Sequence, residues 1–173
     1  ASYFKIELPL GPPFGGPLFF AHYSFLGLDP RGLRDRYADY WQQCRAHTLI
    51  NRAHCIANPN GFAGYGATCW GLTACDGDGG YGAFCPQNDR GVIAPTAALA
   101  SMPYTPRESM AVARHFFDDL GSTLWGRYGF VDAFNAGKNW RAAGNLAIDQ
   151  GPIAIMIEIH RSGQLWNLLM SCV

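Results

Sequence analysis

Residues 146–163, LAIDQGPIAIMIEIHRSG, decide how this chain is read. From Pro152 to Leu169 charge is sparse all around the helical wheel, the pattern of a helix buried on every side. Asp149 stands three residues before that proline, and Glu158 lies about a turn and a half inside the helix. A carboxylate at the mouth and another in the wall of a core element both need a reason.

Residues 16–28 and 95–102 are as poor in charge and read as two more buried helices. Two other segments are amphipathic. Asp29-Pro30 opens residues 31–57, where Leu33, Tyr37, Tyr40, Trp41 and Cys44 share one face and Asp35, Asp39, Gln42 and Gln43 the other. Thr105-Pro106-Arg107-Glu108 is a capping box that opens residues 106–125, with Met110, Ala113, Phe116, Phe117, Leu120 and Leu124 at helical spacing. Strand signals are confined to residues 3–9. Buried helices alternating with amphipathic ones describe an all-α fold, a toroid of inner and outer helices. A closed (α/α)6 ring needs roughly twice this length, at about 11–12 residues per helix plus loops. Residues 1–173 are therefore expected to form one partial domain, half a toroid, whose exposed inner helices pair with a missing half or with another copy of the chain.

The 173 residues are 49% hydrophobic and 14% aromatic, and only 15% are charged. Thirteen basic and thirteen acidic residues cancel, which leaves no electrostatic footprint for nucleic acid or an anionic membrane. No run reaches the ~18 apolar residues of a membrane span. Cys44, Cys55, Cys69, Cys75, Cys85 and Cys172 show no paired zinc spacing, so free thiols are expected, against a disulfide within the loop holding Cys69, Cys75 and Cys85. No metal or organic cofactor is implied. The N-terminus is uninformative about compartment; a periplasmic or secreted location is the expectation.

Residues 58–93 and 125–149 are long connections, and the first mixes nine glycines with Phe62, Tyr65, Trp70, Tyr81 and Phe84. Loops of this length in a compact domain are functional or disordered, and the aromatics speak against disorder. Both lead from an outer helix into an inner one, so they gather at one rim, around the inner helices' N-termini.

GGPLFFAHYSFLGLDPRGL, YADYWQQCRAHTLINRAHC, CWGLTACDGDGGYGAFCPQNDRGVIAPTAALASMPYTP, YGFVDAFN and AIDQGPIAIMIE resemble the glycoamylase-like family of bacterial glycoside hydrolases, which includes endo-β-1,2-glucanases. The resemblance extends in one order from Gly11 onward. It implies an (α/α)6 toroid with its active site at the N-terminal end of the inner helices, and places this chain as the C-terminal half. A glucan, β-1,2-linked, is the implied substrate.

Glycoside hydrolysis uses two carboxyl groups, one protonated and one ionised. Asp29 and Glu108 read as caps, Asp35, Asp39, Asp118 and Asp119 as solvated, and Glu7 lies in the terminal stretch. Asp78 and Asp89 read as turn residues. Asp76 reads equally as a turn or a sugar contact. Asp132, framed by apolar residues, reads as a general acid or as the N-cap of a short helix. Asp149 can cap the inner helix, face the cleft, or do both. The expected roles are Asp132 as acid and Asp149 as ionised partner. Glu158 is expected to be buried and to pair with Arg161 or His22, and His22 to be a satisfied core histidine. Trp70, Tyr81, Phe134 and Trp140 are candidate sugar-stacking platforms, with Arg90, Lys138 and Gln150 as hydroxyl partners. The rival reading is a non-catalytic carbohydrate-binding or assembly module that keeps the aromatic cleft but lacks a competent acid pair.

Overall fold

The structure, a computed structural model, describes residues 1–172. Asp39 begins the first long helix by accepting the Gln42 amide at 2.9 Å, and α1 (Tyr40–Ala57) runs until Asn58 ends it at φ 44°. Cys44, His47, Thr48, Ile50, Asn51, His54 and Cys55 are its buried residues, a stripe at helical spacing. The expected start at Asp29-Pro30 is corrected. Asp29 accepts the Arg31 amide and Asp35 those of Tyr37 and Ala38, turns that hold the segment before α1 out of a helix. Tyr37 is consequently exposed.

α2 (Pro95–Leu99) is buried throughout and packs against α3 (Pro106–Arg114) and α5 (Ala147–Ser162). Between them, α3 passes through a π-helical turn, His115–Asp119, into α4 (Gly121–Leu124). A π turn shifts the helical phase. Phe116 is buried whereas Phe117 and Met110, expected on the apolar face, are exposed. The Thr105 capping box does not form, because the Thr105 hydroxyl meets the Ser101 carbonyl at 3.3 Å and Ser109 Oγ at 3.1 Å.

α5 begins before Pro152, so Asp149 lies in its first turn. Gly163, at φ 67°, separates α5 from α6 (Gln164–Met170). Leu168 and Leu169 are exposed, which corrects the expectation of burial on all sides from Pro152 to Leu169. Pro152 has no amide hydrogen and leaves the Ile148 carbonyl without its helical donor.

Residues 16–28 form no α-helix; they make two 3-10 turns, Leu18–Ala21 and Tyr23–Phe25. Anchors at both ends explain this. The Leu18 and Phe19 amides donate to the Leu72 carbonyl and Thr73 Oγ1, and Trp166 Nε1 donates to the Phe25 carbonyl at 2.8 Å. Gly15 precedes these turns at φ 91°, where a Cβ would sit 2.1 Å from the His47 ring.

Four antiparallel ladders fold the termini and loops: β1 (Ser2–Tyr3) with β2 (Ile6–Glu7), β3 (Ala74–Cys75) with β4 (Gly82–Ala83), β5 (Trp125–Gly126) with β6 (Gly129–Phe130), and β7 (Phe134–Asn135) with β8 (Trp140–Arg141). None exceeds two residues per strand, so helices dominate the described residues. The main core cluster extends from Leu18 to Trp166 through α1, α2, α3 and α5. Gly71, at φ 135°, lets its loop approach α2 where a Cβ would lie 2.9 Å from Ala97 Cβ.

His22 is a buried core residue with Nε2 2.9 Å from Ser101 Oγ; burial, then His47, holds its pKa down to about 3. Glu158 is half-buried at the surface and bonds Arg161 at 3.2 Å, so its partner is the expected one and its burial is not. All six thiols are free, and only Cys172 is exposed. Among the described residues no helix is long and apolar enough to cross a membrane.

Candidate active site

Asp132 and Asp149 lie far apart in sequence yet share one buried site, each about 1% exposed. Asp149 arrives on the first turn of α5, and the Thr96 hydroxyl on α2 donates to its carbonyl at 2.7 Å. Asp132 arrives on the strand-rich connection between α4 and α5. Its Oδ2 accepts the Asp76 amide at 2.7 Å, just after β3. The 58–93 and 125–149 connections thus meet at the N-terminal turns of α2 and α5, the rim expected from chain direction.

Asp132 Oδ1 and Asp149 Oδ2 are buried with no hydrogen-bond partner among the described residues when both groups are treated as acceptors. Yet the two carboxyls are close enough for each to shift the other's ionisation. One shared proton resolves this, since an O–H on one carboxyl then donates to the other. Burial first, then Asp132 and Asp76, push the Asp149 pKa up to about 8. Burial also raises Asp132, opposed by the Asp76 amide and the contact with Asp149. Of the two, Asp149 is pushed further towards its protonated form. The Asp76 amide is a backbone donor that stabilises the ionised form of Asp132.

Asp76 touches Asp132 through its amide, and Tyr81, 57% exposed, is close enough for both acids to raise its pKa. The other candidates are elsewhere. Trp70 is fully buried in the core and cannot stack on a sugar. Phe134 is buried edge-on to Phe116, with ring centroids 5.4 Å apart. Trp140 packs against the small Cys75–Phe84–Val92 cluster and lines a separate hollow of about 400 Å³ with Leu120 and Arg141. Gln150 Nε2 donates to the Phe130 carbonyl at 2.9 Å. Lys138 pairs with Asp78, and Arg90 lies near Asn88.

A sequence model of the glycoamylase family, described as "Putative glucoamylase", matches residues 3–173. The chain belongs to this family. It is similar to an exo β-1,2-glucooligosaccharide sophorohydrolase (non-reducing end) of Parabacteroides distasonis, 47% identical over 98% of this chain and 24% of that protein. Among solved structures, an endo-β-1,2-glucanase from Chitinophaga pinensis, in complex with sophorotriose and glucose, is 56% identical with TM-score 0.91, over 92% of this chain and 38% of that one. A "putative glucoamylase" from Bacteroides uniformis is 62% identical with TM-score 0.98, over 99% and 42%. The chain thus spans about a quarter of the curated relative and about two fifths of these two solved chains. It shares the helical toroid fold over that portion.

Two features of this family member escape a reading by residue type. Tyr23, within the stretch expected to be helix, places its hydroxyl 3.4 Å from the Ile148 carbonyl, one residue before Asp149. Asp89, expected to be a turn residue, accepts His54 Nε2 at 2.8 Å, the Tyr65 hydroxyl at 2.7 Å and the Gly91 amide at 3.0 Å, and so fastens the glycine-rich loop to α1. Its spacing from His54 gives no local signal; the contact is tertiary.

Proposed function

We propose that the chain carries part of the active site of a glycoside hydrolase that cleaves a glucan, with β-1,2 linkages as its specificity. One observation carries the reading: Asp132 and Asp149 are both buried with an unpartnered carboxyl oxygen each, and a backbone amide from Asp76 fixes Asp132. Asp149 donates the proton to the departing glycosidic oxygen, and Asp132 holds its carboxyl in place. Carboxyls in contact are closer than the ~5 Å or more at which an acid and a nucleophile or base flank the bond. The pair therefore works from one side, and water or the sugar is engaged by a third carboxylate. Asp76, which faces both acids, is the one this chain offers, and Tyr81 supplies an exposed ring for a sugar face. Both relatives named for β-1,2-linked glucans support the linkage. Incubation with linear β-1,2-, β-1,3- and α-1,4-glucans tests it: reducing ends appear only from the first. Retardation on a β-1,2-glucan affinity gel without cleavage supports the binding-module alternative instead.

An apolar groove of about 730 Å³ lies between α3 and α5, lined by Phe117, Trp125, Tyr128, Ile153 and Ile157. It is proposed to receive helices corresponding to the unmatched part of the relatives, which exceeds the matched part in length. A polymeric substrate does not cross a bilayer, which favours a periplasmic or secreted protein; cell fractionation tests this.

A further inference from the structure

We propose that Tyr23 is a positioning residue for Asp149: its hydroxyl is a donor shared between the Asp149 carboxyl and the Ile148 carbonyl that Pro152 leaves open. This rests on the reading of Asp149 as the acid. The ring is held in direction by its surroundings. His22 on one side is anchored to Ser101, the Phe25 carbonyl on the other accepts Trp166 Nε1, and the Phe19 ring packs 5.0 Å away. From there the hydroxyl reaches the start of α5, with the Ile148 carbonyl 3.4 Å away, one residue before Asp149, whose Oδ2 is buried and unpartnered among the described residues. In an uninterrupted helix the residue four positions on would donate to Ile148; proline cannot.

The 3.4 Å contact is long for a hydroxyl donor, whose preferred distance is about 2.7–2.8 Å, so little is lost when the hydroxyl turns away. Protonated Asp149 needs no donor, because its own O–H goes to Asp132. Once it gives up that proton it is a buried carboxylate with Oδ2 unpartnered among the described residues. The phenol then turns from the carbonyl to the carboxylate. Tyr23 thereby opposes the burial and neighbouring charge that hold the proton on Asp149. It brings the acid towards neutral pH and fixes the carboxylate for reprotonation. The open carbonyl made by Pro152 keeps the hydroxyl nearby in the meantime.

Carboxyl-carbon NMR of the chain labelled at aspartate tests this, with the Asp149 signal identified by its loss in Asp149→Asn. Tyr23→Phe keeps the ring and is expected to raise the Asp149 midpoint by about one pH unit, the size of one hydrogen bond to a charged group. Pro152→Ala gives Ile148 a helical donor, frees the hydroxyl and is expected to lower the midpoint. Tyr23→Phe/Pro152→Ala should behave as Tyr23→Phe alone. An unmoved midpoint in Tyr23→Phe, or a downward shift that persists in the double variant, overturns the proposal. Undiminished glucan cleavage by Asp149→Asn would instead overturn the reading of the acid, and the titrations would still decide the hydrogen bond.

Discussion

Holding a proton on a buried aspartate near neutral pH must show in stability. Asp149 binds its proton with a pKa of about 8 in the folded chain and 3.8 as a free side chain. Between those values the folded state holds a proton that the unfolded state lacks, so stability falls as pH rises. His22 and His47 act in the opposite sense at the acid end. Burial lowers them from 6.5 to about 3 and about 4, so the unfolded chain binds more protons and stability rises up to about pH 6.5. Stability therefore peaks near pH 6.5. From there to pH 8 the aspartate's loss outweighs the residual gain from the histidines, whose unfolded forms are still partly protonated, and the net fall at up to 1.36 kcal/mol per proton and pH unit is about 1 kcal/mol. The measurement is urea denaturation at pH 6.5, 7.25 and 8, for the chain and for Asp149→Asn. The parent is expected to lose about 1 kcal/mol across that range, and Asp149→Asn, which cannot ionise and keeps only the residual gain from the histidines, to lose none. Equal slopes in both proteins would refute the shared proton.

The aromatic residues separate by variant: Trp70→Ala should cost about 3–5 kcal/mol as a cavity in the core, whereas Tyr81→Ala should leave the melt unchanged and weaken retardation on a β-1,2-glucan gel. Of the six thiols only Cys172 should react promptly with a thiol reagent in the native chain, because the other five are buried; rapid reaction of a second thiol contradicts the packing. The chain by itself should bind an apolar dye or self-associate through the Phe117–Trp125–Tyr128 groove, as sedimentation would show, and a monodisperse monomer that binds no dye contradicts an open groove.

Much of the helical plan is written locally. Pro95, Pro106 and the stripe through Cys44, Thr48 and Cys55 mark α2, α3 and α1 without tertiary information. What local pattern misjudges is competition. Asp29 reads as the cap and Asp35 and Asp39 as solvated, but the first two bind amides two or three residues on and make turns, which leaves Asp39 to start α1. Residues 16–28 are apolar enough for a helix, but contacts with Leu72, Thr73 and Trp166 wind them more tightly. In the site, setting aside the aspartates explained by caps and turns leads to Asp132 and Asp149. Their ionisation does not follow from composition, because it depends on tertiary burial and on an amide from Asp76, 56 residues from Asp132. Trp70 and Tyr81 illustrate the same limit: both are aromatics in one glycine-rich loop, and only the fold turns one inward and leaves the other open.

The central claim is that Asp149 supplies the proton for glycosidic cleavage. Reducing-end release from linear β-1,2-glucan, by the protein that carries this sequence and by its Asp149→Asn variant, tests it most directly. A fall in kcat of at least ~10²-fold with nearly unchanged KM is the predicted result, the size of a lost general acid. Full turnover by Asp149→Asn would contradict it.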